Sequence, residues 1–263
     1  MSFIKPKLIG DIPNKLGDVN KQVIVYVDKF GINLENYDHY SYEYKIYWQI
    51  ESRGVLQGNE NNITFPIKNK SNFDLILAND PQILKECENS IVFPFGDCWI
   101  KDGEQKIYDK SKMLSIIVSE KQFLPGHQLR HNVISSIGDK MDIYGRCCNY
   151  IENKVDALKD YKFSICIENS KIDNWFTEKL IDCFKTGTVP IYWGCPNIGD
   201  YFNTDGFIIV NSLDEIINVV NNLSDEQYYS KMSYIEENFN KSSEYGSNLF
   251  ERVDKEIKRL ING

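Results

Sequence analysis

Short apolar, β-branched or aromatic runs punctuate the first half of the chain, at residues 22–27, 45–50, 73–77, 91–94 and 114–118. Several are apolar on both faces, as strands buried in a parallel sheet are. Clusters of Asp, Asn, Gly and Pro separate them, and residues 58–62 (GNENN) form the most polar, an exposed loop. The second half alternates more cleanly. Residues 128–137 carry Leu129, Val133, Ile134 and Ile137 at helical spacing. A strand at 141–144, a short helix at 155–161, a strand at 163–167 and a helix at 176–186 closed by Gly187 follow. Strands at 189–193 and 207–210 come next, then a helix at 213–223 capped by Ser212, and two more over 225–241 and 246–261. Strands alternating with helices predict parallel α/β layers.

Composition narrows this. The 263 residues make one large domain or two small ones, and 42% hydrophobic residues supply a core without staples. A boundary placed loosely between Ser119 and Gly145 divides the chain into 1–125 and 126–263. The 38 acidic against 30 basic residues, net −8, argue against nonspecific nucleic-acid binding, which needs clustered positive charge. They still allow one basic pocket for a single phosphorylated ligand. Seven cysteines without a C-x-x-C favour reduced thiols and a cytoplasmic protein over a disulfide scaffold or zinc ribbon. Cys166 and Cys183 read as small buried hydrophobes. The first ten residues lack the apolar stretch of a signal peptide or anchor, and no run of 18 apolar residues predicts a transmembrane segment. Lys255, Lys258 and Arg259 give the last helix a mildly basic end, suited to its own dipole or to a membrane surface. Nothing in the pattern addresses oligomeric state.

The usual phosphate-binding fingerprints are missing: there is no G-x-G-x-x-G, no Walker A and no Asp-x-Asp. A nucleotide enzyme without them must neutralise phosphate with Lys, Arg and helix N-termini. Residues 161–193 meet that need. A buried strand ends in Glu168 and Asn169, a polar loop follows, and a helix begins near Phe176, with Asp173 or Asn174 as cap. Thr177, Glu178 and Lys179 then occupy the first turn. Lys179 can meet a phosphate and Glu178 can accept from a ribose diol. The plainer alternative is that an acidic first turn only suits the helix dipole.

The same segment, YKFSICIENSKIDNWFTEKLIDCFKTGTVPIYW, resembles the donor-binding signature of glycosyltransferase family 10, the α1,3-fucosyltransferases. YKF, EN, TEK, Gly187, Pro190 and Gly194 stand at the family's spacing. The likeness is good over 158–212, looser over 111–146, and patchy before that. It implies a GT-B architecture, two Rossmann-like domains with a cleft between them, the C-terminal one holding the sugar nucleotide. It further implies GDP-β-L-fucose as donor, a glycan hydroxyl as acceptor, inversion at the anomeric carbon, and no required metal or other cofactor. By position, Glu178 and Lys179 would hold ribose, phosphate or fucose, with Glu168 and Asn169 beside the sugar. Many members have Tyr where this chain has Trp175, whose indole can only donate. Arg130 takes the place of an Arg on the helix leading into the domain, where its fork would face the diphosphate. His127 and His131 beside it read as packing or surface residues.

Inversion needs a carboxylate to take the acceptor's proton. The family's is a Glu following an N-terminal-domain strand. Glu51, leaving the strand at 45–50 and followed by Ser52, matches; Glu60, in its Gly-Asn-Glu-Asn setting, is the second candidate. A strand end fixes a carboxylate better than a long loop, which favours Glu51. Two rival readings keep the fold: another GDP-hexose as donor, or a noncatalytic nucleotide- or sugar-binding protein.

Overall fold

The structure, a computed structural model, describes residues 7–9, 23–28, 42–53, 62–146, 148–246 and 249–262. The chain forms two units, Met1–Phe95 with Asn248–Gly263, and Gly96–Ser247. Both are parallel α/β structures, as the alternating pattern predicts, and the fold is of GT-B type.

In the first unit β1 (Lys7–Ile9), β2 (Val23–Val27), β3 (Tyr44–Trp48), β4 (Leu75–Ala78) and β5 (Ser90–Val92) pair in parallel in that order. Right-handed crossovers between successive neighbours put every connection on one face of such a sheet. Accordingly α1 (Thr64–Lys68) and α2 (Pro81–Glu86) supply Phe65 and Ile83 against Ile24, Tyr26, Tyr47, Ile76 and Ala78. The alternate residues, Val23, Val25, Val27, Ile46, Trp48, Leu75 and Leu77, point the other way and need another cover. The last helix (Leu249–Asn262) provides it through Leu249, Val253 and Ile257, spaced i, i+4, i+8. Val253 and Ile257 are fully buried, each worth about 2–3 kcal/mol in apolar area removed from water. Arg252 on the same helix donates to the carbonyls of Pro94 and Phe95 at 2.6 and 3.0 Å.

The second unit contains β6 (Lys112–Ile117), α3 (Pro125–Ile137), β7 (Asp142–Tyr144), β8 (Tyr161–Ile167), α4 (Glu178–Phe184), β9 (Val189–Trp193), β10 (Ile208–Ile209) and α5 (Leu213–Asn221). Three helices, α6 (Asp225–Tyr229), α7 (Met232–Lys241) and α8 (Ser243–Gly246), complete it; the last helix is α9. The strand order is β10-β9-β8-β6-β7, all parallel. β6 lies between β7 and β8, so the direction of winding reverses there. In open α/β sheets the ligand crevice opens at the carboxyl ends of the strands flanking such a reversal.

The second unit begins at Gly96, upstream of the expected 125/126. β6 pairs with β7 and β8 and so belongs with the second sheet, while α9 returns to the first. Three local expectations also change. Residues 154–157 form a 3₁₀ turn, and Tyr161 opens β8. The helix expected over 225–241 is interrupted after Tyr229. The helix expected from Phe176 begins at Glu178, with Thr177 rather than Asp173 or Asn174 as cap. Asn174 is in the left-handed region at φ +61°, its side chain bound to Asn197 and Tyr201. Among the described residues no helix is long and apolar enough to cross a membrane.

Candidate active site

The reversal point of the second sheet brings together α3, the end of β8 and the first turn of α4. α3 approaches β8 so closely that a Cβ on Gly126 would lie 1.7 Å from the carbonyl oxygen of Glu168. Only glycine fits, and its N–H donates to the Asn169 carbonyl at 3.0 Å. One turn later, Arg130 is buried. Its Nε and Nη2 donate to the Ile167 carbonyl at 3.0 and 2.6 Å, and Nη2 also donates to Asn169 Oδ1 at 2.8 Å. Both protons of Nη2 and the Nε proton are therefore used. Nη1 carries no hydrogen bond to another described residue, so Arg130 offers a ligand one nitrogen with two protons, not a fork.

Glu168 is fully buried, and its carboxylate is turned into the fold. Oε1 accepts the Thr177 N–H at 2.8 Å, Oε2 accepts the Thr177 hydroxyl at 2.8 Å, and Lys179 Nζ lies 3.6 Å away. The Thr177 N–H is thus already taken by protein. Thr177 Oγ1 in turn accepts from the N–H of Lys179 at 3.4 Å and its Nζ at 3.0 Å. Trp175 is buried too. Asn169, Glu178 and Lys179 complete the cluster.

Two residues without a sequence motif join it. Lys154, from the loop after β7, places Nζ 3.1 Å from both Glu178 Oε1 and Asp182 Oδ2. The same ammonium lies 3.9 Å from the centre of the Trp99 ring. Trp99 is 59% exposed yet held at two points: its N–H donates to Asp182 Oδ1 at 2.7 Å and its indole N–H to Asp97 Oδ2 at 3.1 Å. Glu178 and Asp182 stand four apart on a buried helix, a spacing that puts both on one face and calls for a cation from elsewhere. That spacing signals the need for a cation but does not single out Lys154.

Burial alone would push the Glu178 carboxyl up. Lys179 and Lys154 outweigh it, with hydrogen bonds from Lys154 and Thr177, and hold it at about 2. Glu178 is therefore an anion at neutral pH, an acceptor for hydroxyls and no proton donor. Asp182 stays above the ordinary carboxylate range, because burial and the Glu178 charge exceed the help from Lys154. His127 is lowered to about 4 by burial and by Arg130, Lys121 and Lys179. It accepts the Leu124 N–H through Nδ1 at 3.3 Å and packs edge-on against Phe123, a helix-capping role.

In the first unit Glu51 follows β3 and is partly buried. Its N–H donates to Asp28 Oδ2 at 2.6 Å, and its carbonyl accepts from Gln49 Nε2 at 2.9 Å and Asn62 Nδ2 at 2.5 Å. Glu60 lies outside the described residues. The candidates thus stand in two groups: Glu51 in the first unit, and Arg130, Glu168, Asn169, Trp175, Thr177, Glu178 and Lys179 in the second.

In doubly wound α/β units the switch point is where ligands bind, and here it gathers cationic and anionic side chains. Comparison with known proteins gives the family. Residues 107–247 match the model of glycosyltransferase family 10 (fucosyltransferase), C-terminal part, and the chain belongs to this family. The α-(1,3)-fucosyltransferase FucT of Helicobacter pylori is 38% identical over 73 residues, 27% of this chain and 15% of that one. The putative fucosyltransferase R654 of Acanthamoeba polyphaga mimivirus is 23% identical over 190 residues, 63% of this chain and 31% of that one. The chain therefore spans under a third of these two relatives. A crystal structure of an α1,3-fucosyltransferase with GDP shares the fold with a TM-score of 0.54 and 16% identity, over 92% of this chain and 80% of that one.

Proposed function

We propose that the chain is an inverting fucosyltransferase that moves fucose from GDP-β-L-fucose to a hydroxyl of a glycan acceptor without a metal. The observation carrying this reading is the switch-point cluster, which gathers Arg130, Glu178 and Lys179, the residues that the signature's resemblance reads as donor-binding. A relative of this fold has been crystallised with GDP-fucose.

In the proposed reaction Glu51 takes the proton of the acceptor hydroxyl. The acceptor oxygen forms a bond to the anomeric carbon from the face opposite GDP. The bond from that carbon to the β-phosphate oxygen breaks, and its electron pair leaves with GDP. Arg130 Nη1 and Lys179 offset the charge that develops on the diphosphate; one well-aimed donor of this kind contributes about 3–4 kcal/mol. Lys179 reaches it by exchanging a contact with Thr177 or Glu178 for a phosphate oxygen. Glu178, ionised, accepts from hydroxyls of the ribose or the sugar. Glu168 acts beneath the site, holding Thr177 and Lys179 in place.

The test is mass-spectrometric detection of transfer from GDP-fucose to GlcNAc, LacNAc and glucose acceptors, with the anomer read by NMR and EDTA present in a parallel arm. Transfer with inversion, unchanged by EDTA and lost in Glu51→Gln, is expected. Turnover of GDP-mannose alone would replace the fucosyl reading by another GDP-hexose. GDP binding without turnover of any donor would leave a binding protein.

A further inference from the structure

Asp28 stands where β2 ends, with its backbone in the left-handed region at φ +42°. A residue other than glycine keeps that conformation only where its surroundings hold it. The carboxyl shows what the conformation achieves. Oδ1 accepts the N–H of Ile50 at 2.9 Å and Oδ2 that of Glu51 at 2.6 Å. The Glu51 carbonyl is gripped separately, by Gln49 and Asn62. Gln49 is itself fixed, since its Oε1 accepts the N–H groups of Asn79 and Asp80, both at 3.0 Å. Asp80 in turn holds Arg53 through two contacts of 2.5 Å. Gln49, Asn62, Asn79 and Asp80 are all buried.

Packing alone gives no reason to bury so many polar groups under one short loop, because each loses its water. Their common effect is to fix the peptide groups on both sides of one residue, Glu51. The clamps come from three separate places in the chain: the end of β2, the end of β3, and the segment before α1. A side chain on a backbone held this way starts its work from one defined position.

We infer that Asp28 is a positioning residue for Glu51, fixing its backbone through the two N–H groups that its carboxyl accepts. This rests on the reading of Glu51 as base. Among the described residues, the groups that face Asp28 are the Glu51 carboxyl, the buried Tyr47 phenol and the neutral Asn62 amide. Burial, and then the Glu51 charge, push the Asp28 carboxyl up to about 7 against the hydrogen bonds it accepts. Asp28 is thus mostly protonated in the acidic range, and its hold on Glu51 is through the accepted N–H groups.

The experiment compares kcat and donor KM for transfer in wild type, Asp28→Asn and Asp28→Ala, with Glu51→Gln alongside. Asparagine keeps the shape, loses the charge, and can accept only one of the two N–H groups. Its kcat falls roughly 10- to 100-fold as Glu51 loosens, with KM for the donor unchanged. Asp28→Ala loses more kcat, again without change in donor KM. A kcat of Asp28→Asn within twofold of wild type, or a fall in kcat matched by a rise in donor KM, overturns the inference, and this variant decides the matter even where Asp28→Ala does not fold. Glu51→Gln separates the two readings. Full activity there removes the base assignment itself, whereas an inactive Glu51→Gln beside an unchanged kcat in Asp28→Asn removes only the role given to Asp28.

Discussion

Replacing Lys154 by Met tests whether one lysine holds the charged face of α4. Its ammonium sits 3.1 Å from both Glu178 and Asp182 and 3.9 Å from the centre of the Trp99 ring. Methionine fills much the same stem volume and removes only the charge. Glu178 stands at about 2 against an ordinary 4.5. That difference is worth about 3 kcal/mol, shared between Lys154 and Lys179. Removing one partner of a buried pair costs about 3–5 kcal/mol. Here the loss is softened because Asp182, already raised, can take up a proton. The expected destabilisation at pH 7 is therefore about 2–4 kcal/mol, read by urea unfolding followed by circular dichroism. The sign with pH follows from Glu178. Its folded value is depressed, so its stabilisation is present above about 4.5 and lost as pH falls toward 2. The gap between variant and wild type should narrow from pH 7 to pH 3. A loss under about 1 kcal/mol at pH 7, or one equally large at both pH values, would refute the reasoning.

Two further outcomes test the scaffold. Ile257→Ala empties a fully buried position on the helix that covers the open face of the first sheet. It should cost about 2–4 kcal/mol in urea unfolding, and an unchanged midpoint would mean that α9 is not a structural cover. Gly126→Ala puts a Cβ into the Glu168 carbonyl and forces the first turn of α3, and Arg130 with it, to move. Calorimetric GDP affinity should fall roughly tenfold or more, and affinity within twofold of wild type would show that the close approach does not position Arg130.

What could be read from the sequence follows the length of the elements. β9 is found at its predicted bounds, and β8 and α3 within three residues of theirs, because each is a long apolar or periodic run. α1 and α2 went unseen: five and six residues are too few for a period, and α2 is marked only by Asp80 as cap and Pro81 at its first position. The membership of α9 was hidden for a different reason. Its apolar stripe is plain in the sequence, but which sheet it covers depends on which face the crossovers leave bare. In the site, the TEK and EN positions were legible as a motif. Lys154 and Trp99 were not, since they reach α4 from loops that carry no pattern of their own. The capping role of Thr177 was masked by Asp173 and Asn174, which are equally good caps by residue type.

The two units solve one mechanical problem in the same way. In each, a carboxylate directly after a strand turns inward and accepts N–H groups from the loop that carries the proposed chemistry. Asp28 after β2 takes those of Ile50 and Glu51, and Glu168 after β8 takes that of Thr177. A buried carboxylate is an expensive device, because desolvation opposes its charge. A loop, however, has no ladder partners to fix its peptide groups, and a two-oxygen acceptor can bind two donors at once. This changes how the EN motif is read. Glu168, with both oxygens committed to Thr177, cannot present them to a sugar without releasing the first turn of α4. Its place in the signature is accounted for by what it holds, Thr177 and through it Lys179. In the proposed reaction Glu178, one residue beyond that cap and ionised at neutral pH, is the carboxylate left to meet the donor's hydroxyls.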